Sequence, residues 1–268
     1  MAAGEKPPII GTAVMGWRDG LGAINAMPVV AGIAFIILLI IGALSTLLLP
    51  APAPGSGEAV SIVASIVSSI IRAFVVAPLA IAVHRYVLLG EVTPGYALDP
   101  SSPRYMRFVG FAILVNLLLL APSLILVVPM MIAAVPAAMT AVGGIVAFVL
   151  FVFVMIVALR RTILFPAVAV DAPGASWTNA RNDTMGNSWR VAFILFCTII
   201  PTIVVSVPFY FLLMWPLGGV TTFAQVAFSV ISTVIQLLSI CTLAAAASHI
   251  FRTLAHHLAT PPASAPAG

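Results

Sequence analysis

FVGFAILVNLLLLAPSLILVVPMMIAAVPAAMTAVGGIVAFVLFVFVMIVAL, from Phe108 to Leu159, runs for 52 residues without an Asp, Glu, Lys, Arg or His. A soluble domain has no core able to hide such a run, and leaving it in water would expose an apolar surface far beyond what soluble proteins tolerate. A bilayer hides it readily. Its hydrocarbon core takes roughly 20 residues per helix, so the run is too long for one crossing and suits two. Pro129, Pro136, Gly143 and Gly144 lie near its middle, where they favour a break. The stretch predicts a hairpin of two spanning helices, about Phe108 to Val128 and Ala137 to Leu159, joined by an apolar turn.

Outward from this hairpin the chain has the same character. It is 62% hydrophobic and 7% charged, with a mean hydropathy of +1.23. That balance excludes a soluble enzyme, a nucleic-acid binder, a disordered chain and a disulfide scaffold. Four more segments are long enough to span, about Val29 to Leu49, Ala59 to Val83, Val191 to Trp215 and Thr221 to Ile250. Only a helix or a closed barrel satisfies its backbone in hydrocarbon, and uninterrupted apolar runs are helices. The expected fold class is therefore all-α: a polytopic membrane protein with six transmembrane helices and cytoplasmic interfacial helices. Its parts are a cytoplasmic interfacial segment over residues 1–28, the six-helix domain over 29–250, and a cytoplasmic tail over 251–268, disordered from about 260.

Orientation follows from positive charge, which resists translocation. Ten of the eleven Lys and Arg residues (Lys6, Arg18, Arg85, Arg104, Arg107, Arg160, Arg161, Arg181, Arg190 and Arg252) fall in alternate loops and the two terminal segments. Both termini are thus expected in the cytoplasm. The first apolar segment exceeds a signal peptide's apolar region of about 7 to 15 residues and is read as an uncleaved helix. Ahead of it, Val14, Trp17, Leu21 and Ile24 recur at helical spacing opposite Arg18, Asp19 and Asn25, the pattern of a helix lying in the membrane interface.

Two texts are similar: His84-Arg85-Tyr86-Val87-Leu88-Leu89-Gly90 ends the second span, and Arg160-Arg161-Thr162-Ile163-Leu164-Phe165-Pro166 ends the fourth. With the N-terminal segment they fit a threefold repeat of interfacial element plus helical hairpin, although charges and aromatics gather at such interfaces in any case. In the loop after the fourth span, Asp171-Ala172-Pro173-Gly174 reads as a turn. Ser176 can cap a short helix holding Trp177, Arg181 and Asp183, and Gly186-Asn187 can end it.

In Arg161-Thr162-Ile163-Leu164-Phe165-Pro166-Ala167-Val168-Ala169-Val170, in Thr184-Met185-Gly186-Asn187-Ser188-Trp189-Arg190, and in its six-helix layout, the chain resembles bacterial membrane families around the membrane domain of glycerophosphoryl diester phosphodiesterases and the YciC-like proteins. Motif similarity is confined to the stretch from Arg161 to Arg190, and layout alone covers the rest of the chain. The resemblance implies a bacterial inner-membrane architecture. It carries no enzymatic residue across, since the phosphodiesterases' soluble catalytic domain has no counterpart here.

The eleventh positive residue, Arg72, lies inside the second span, where a charge costs roughly 3 kcal/mol. Glu58, Ser61, Ser65, Ser68 and Arg72 follow one another by three or four residues and share a helix face. Thr222, Gln225, Ser229, Ser232, Gln236 and Ser239 do the same on the sixth span, so the two polar stripes are expected to face each other. Two readings stand. Arg72, Ser65, Ser68, Gln225, Ser232 and Gln236 form a polar cleft for an anion such as a lipid phosphate, or they are glue between closely packed helices. No carboxylate lies within a span to neutralise Arg72, which leaves amides, water, a ligand or carbonyls freed by Pro78, Pro122 and Pro201 as its partners.

The seven acids sit in loops or at their edges and form no spaced catalytic pair. Phosphate-loop, zinc-protease and nucleophile-elbow motifs are absent. His249, His256 and His257 gather near the end of the last span without a nearby cysteine or carboxylate, favouring a pH-sensitive or lipid-facing cluster over a metal site. Cys197 and Cys241 read as apolar packing residues, and Asn116 as interhelical glue. No enzyme activity, cofactor or metal is expected. The expected partners are membrane lipids and other membrane proteins. The leading expectation is a non-enzymatic scaffold or accessory protein, and the alternative is a small transporter or channel for an anion or lipid using Arg72.

Overall fold

The computed structural model describes residues 6–48, 58–132, 137–214 and 222–260. Within them the chain forms α1 (Ile9–Ala26), α2 (Pro28–Leu48), α3 (Glu58–Leu89), α4 (Pro103–Ile132), α5 (Ala137–Arg161), α6 (Leu164–Ala169), α7 (Trp177–Thr184), α8 (Ser188–Met214) and α9 (Thr222–Leu254), and the described residues contain no strand. Ile66–Leu89, Val142–Ala169, Ser188–Phe209 and Val226–Leu254 are each apolar and long enough to cross a bilayer; α1 and α2, bent by 95° at their junction, would together make a fifth. The apolar helices mark a multi-pass membrane protein. Long helices form where the sequence places its six apolar segments, and α3 and α9 run on to Leu89 and Leu254, beyond the expected ends.

Packing is concentrated at the end of the bundle that carries the arginines. There Arg85 Nη1 donates to the Ala169 carbonyl at 3.1 Å, and Arg160 Nε to Ser188 Oγ at 2.9 Å. Arg190 Nη1 reaches the Pro7 carbonyl at 3.3 Å, Arg104 pairs with Asp171, and Arg252 donates to the Val87 carbonyl. Away from this end burial fades. Among the described side chains, α3 has none buried before Ala73, α8 none after Thr202, and α9 none before Thr233. Lipid tails are as apolar as the side chains they meet, so only shape and polar contacts hold membrane helices together. Both are plentiful at the arginine end.

Helix α1 shows how shape does this. Its buried face is Thr12, Ala13, Gly16, Gly20 and Ala23. A Cβ at Gly20 would stand 2.9 Å from backbone atoms of Thr242, and one at Gly16 would stand 2.8 Å from the Ala246 Cβ, so glycine lets α1 touch the α9 backbone. Val14 and Leu21 remain exposed, while the Trp17 indole donates to the Thr198 carbonyl of α8 at 2.8 Å. Val14 and Leu21 thus turn outward while the small residues make the closest contact with α9.

Helices α3 and α9 run parallel in one register. Arg72 meets Gln236, His84 meets Ser248, and Arg252 meets the Leu88 carbonyl, each pair 164 residues apart. The register holds over about 24 Å of helix. Pro78 removes the N–H that would bond to the Phe74 carbonyl; the Tyr105 hydroxyl takes that carbonyl at 2.9 Å, and Tyr96 donates to the Val75 carbonyl at 2.6 Å. Burial, with a smaller contribution from Tyr105, pushes the Tyr96 phenol up to about 12. Tyr96 also holds down residues 90–102, which are not helical. The expected interfacial helix is thus missing from the middle unit, where an irregular strap takes its place.

The α5–α8 connection folds as its turn chemistry predicts. Ser176 Oγ accepts from the Asn179 N–H at 3.2 Å and caps α7. Asp171 and Gly186 take positive φ of 52° and 84°. The apolar stretch before the turn is the buried helix α6. Asp183 on α7, its side chain fully buried, accepts from the His257 and Leu258 N–H groups at 3.0 Å each and lies 2.5 Å from His257 Nδ1. Residues 255–260 accordingly fold back onto this element, with Leu258 fully buried. The tail expected from 251 is therefore docked as far as Thr260; residues 261–268 lie outside the described residues.

Candidate functional site in the apolar bundle

Arg72 on α3 and Gln236 on α9 stand at nearly equal distances from the C-terminal ends of their helices, Leu89 and Leu254. The parallel register brings them together, and Arg72 Nη1 donates to Gln236 Oε1 at 3.3 Å. This is the facing of stripes expected from sequence. Carried one turn further, the same offset of 164 matches the position of Ser68 to that of Ser232. Ser68 and Ser232 are both half-buried, while the side chains of Ser65 and Gln225 lie outside the described residues.

Beside Gln236 is a cleft of about 430 Å³ between α8 and α9, lined by Ser206, Phe209, Phe228, Ser232, Ile235 and Gln236. Its hydroxyls are already engaged. Ser232 Oγ donates to the Ser229 carbonyl at 3.0 Å and Ser206 Oγ to the Ile203 carbonyl at 3.0 Å, each on its own helix. Among the described residues Arg72 forms no ion pair. The carbonyl that Pro78 frees does not serve it either, since Tyr105 occupies that acceptor.

The other polar residues go to separate places. His249 lies 2.8 Å from an Asp19 oxygen on α1, and His257 lies against Asp183, so two of the three histidines expected to cluster each meet an acid from elsewhere in the chain. Among the described residues no group of His, Cys, Asp or Glu could hold a metal ion. Buried His84 and Ser248, 2.8 Å apart, form a polar tie inside the α3–α9 pair. Asn116 is exposed and donates to the Ala112 carbonyl of its own helix at 2.8 Å, and among the described residues it joins no second helix. The acid and histidine pairings escape sequence reading because Asp19 and His249 are 230 residues apart. The Gly16 and Gly20 spacing was visible in the sequence and could have located the α1–α9 contact.

No family model matches this chain, and neither a curated protein nor a solved structure does. What the protein does must be read from its own residues.

Proposed function

We propose that the protein is a non-enzymatic scaffold or accessory protein of a bacterial inner membrane, which it crosses six times with both termini in the cytoplasm, holding membrane lipid and other membrane proteins at its flanks. The observation that carries this reading is the Arg72–Gln236 contact, in which the one arginine distant from the basic end is met by a neutral amide. The cleft beside it is apolar apart from that amide and hydroxyls bonded to their own helices. Such an arrangement joins two helices and offers no acid, base or nucleophile in a reactive geometry. In this reading the six spans are α2, α3, α4, α5, α8 and α9, and α1 and α6–α7 serve as interfacial elements of a threefold repeat.

Orientation is tested by reporter fusion. A phosphatase active only outside the cytoplasm should be silent when fused at the C-terminus and active when inserted between Pro50 and Gly57. The opposite pattern overturns the topology.

A second reading, an anion or lipid transporter or channel, is favoured by one observation: the contact is 3.3 Å long and uses one of the five guanidinium N–H groups, beside a cleft that Gln236 lines. Arg72→Met and Arg72→Lys separate the two. For a scaffold, Arg72→Met should keep thermal stability in detergent or raise it by up to about 3 kcal/mol, as removal of a charge from the bilayer allows, and copurifying lipid should be unchanged in both variants. Loss of a bound anion or lipid in both, measured by mass spectrometry, replaces the scaffold with the transporter.

A further inference from the structure

Three arginines meet where the end of α5 packs against α7. The Thr184 hydroxyl lies 3.0 Å from the Arg160 carbonyl and 3.2 Å from the Arg181 carbonyl, so those two carbonyls are no more than about 6 Å apart. Arg161 sets its guanidinium over the Trp177 ring, 4.4 Å from the centroid, and Trp177 stands one helical turn before Arg181 on the same face of α7. The Trp177 ring is itself stacked on Phe111 of α4, with centroids 6.3 Å apart and planes inclined by 27°. Packing from α4 thus fixes the ring, and the ring fixes the cation.

What these arginines lack is an acceptor. Only 8% of Arg161 is exposed, and its Nε is enclosed without a hydrogen-bond partner. Its guanidinium forms no hydrogen bond or ion pair with any described residue. Nη1 and Nη2 are not enclosed as Nε is, so they can be reached from outside. The charges that bear on Arg161 are both positive, those of Arg181 and Arg160. Arg181 is exposed, and its side chain bonds to nothing among the described residues, while Arg160 commits only its Nε–H, to Ser188 Oγ at 2.9 Å. The acids of this connection are already taken: Asp171 pairs with Arg104, and Asp183 turns both oxygens to His257 and Leu258. The ring under Arg161 offsets part of the cost of burying a charge but supplies no acceptor for its N–H groups.

We propose that this corner is a phosphate-binding site, where Arg160, Arg161 and Arg181 receive the phosphate group of a lipid headgroup or of a small soluble molecule. Each guanidinium presents a planar fork of donors suited to phosphate oxygens, and such charge-assisted bonds are strong. Phosphate fits the set better than a carboxylate does. A carboxylate offers two oxygens and one charge, whereas a phosphate monoester brings three strong acceptor oxygens and a charge of roughly −1.5 to −2 at neutral pH to meet three cations. Arg161 is the base of the site: its charge is already desolvated and its position fixed by Trp177, so it binds with little ordering cost. Arg181 closes from the exposed side. The site goes beyond the scaffold reading and does not rest on it, since it stands whichever role Arg72 has.

Two probe pairs isolate the phosphate and separate its sources: dioleoyl phosphatidic acid against dioleoylglycerol, and glycerol 3-phosphate against glycerol. The full chain in neutral detergent should bind the phosphorylated member of at least one pair about tenfold more tightly than its partner, by native mass spectrometry for the lipids and by thermal stabilisation for the soluble pair. Preference within the lipid pair alone assigns a headgroup; preference within the soluble pair assigns a soluble phosphate. Arg161→Met and Arg181→Gln should each reduce that preference about tenfold, the effect of one lost charge-assisted bond. Arg18→Gln, on α1 with a side chain 74% exposed, should keep it. Without ligand, Arg161→Met should melt no lower than wild type, because it removes a buried charge that has no acceptor. Should that variant fail to fold, Arg181→Gln carries the test, since its exposed side chain has no bond to lose. The proposal is overturned if neither pair shows a preference, if a folded Arg161→Met or Arg181→Gln keeps the wild-type preference, or if Arg18→Gln loses as much. Each of these results leaves the reporter and Arg72 experiments unaffected.

Discussion

Gly20→Leu is expected to push α1 off α9 and to destabilise the protein by about 3 kcal/mol, the upper part of the usual range for overpacking. The side chain would have to grow from a point 2.9 Å from the Thr242 backbone, and a helix backbone cannot give way as a flexible side chain can. The displaced helix would also draw Trp17 from the Thr198 carbonyl and Asp19 from His249, two polar contacts that depend on its position. Gly32→Ala on α2 is the control, since nothing lies within 4 Å of its added Cβ. It should be neutral or stabilising by up to about 1 kcal/mol from lost chain entropy. Thermal unfolding in detergent checks both, and equal melting temperatures for Gly20→Leu and wild type would remove the close-contact account of α1.

The second large effect is expected at Asp183. Replacing it with Ala leaves the buried Leu258 N–H and the part-buried His257 N–H without an acceptor, at about 1–3 kcal/mol for a buried unsatisfied group and less for one that water reaches. A total of about 3 kcal/mol follows, with residues 255–260 released from the α6–α7 element. Asp183→Asn keeps one acceptor oxygen and should fall between. Hydrogen exchange at His257 and Leu258 reads the local effect directly: slow in the wild-type protein, fast in the Ala variant. Unaltered exchange there would show that Gly174, whose N–H donates to the Leu258 carbonyl at 3.1 Å, holds the segment by itself.

How much of this was legible beforehand depends on whether the signal is local. Helix positions follow from apolar run length, and the α7 cap follows from Ser176 and Gly186, because both are set by a few neighbouring residues. The Arg72–Gln236 contact was also legible, for a less obvious reason: a polar stripe on an apolar helix has few places to go, and two stripes of matching phase satisfy each other. The contacts that escaped prediction join local texts unrelated in sequence. Asp183 looks like a solvated helix residue until the chain after α9 returns to it, and Tyr105 looks interfacial until Pro78 is seen to free a carbonyl nearby. In α1 the conspicuous residues, Val14 and Leu21, drew the eye to the face that makes little protein contact. The inconspicuous Gly16 and Gly20 carry the packing, since a helix surface without side chains is what another helix can approach.

The contact between α1 and α9 joins Gly16 and Gly20 to Ala246 and Thr242, residues far apart in the chain. On the ribosome, α1 emerges long before the α9 residues that its glycines touch. The parallel register of α3 with α9 has the same property, each pair waiting for a residue made 164 positions later. Membrane insertion can proceed helix by helix, but these contacts have to await α9, as contacts distant in sequence form late. Until then the glycine face of α1 and the polar face of α3 lie open, and α9 arrives as the closing piece. A chain interrupted before Thr222 would therefore be inserted yet unassembled, its first helix bare to whatever quality control surveys the membrane.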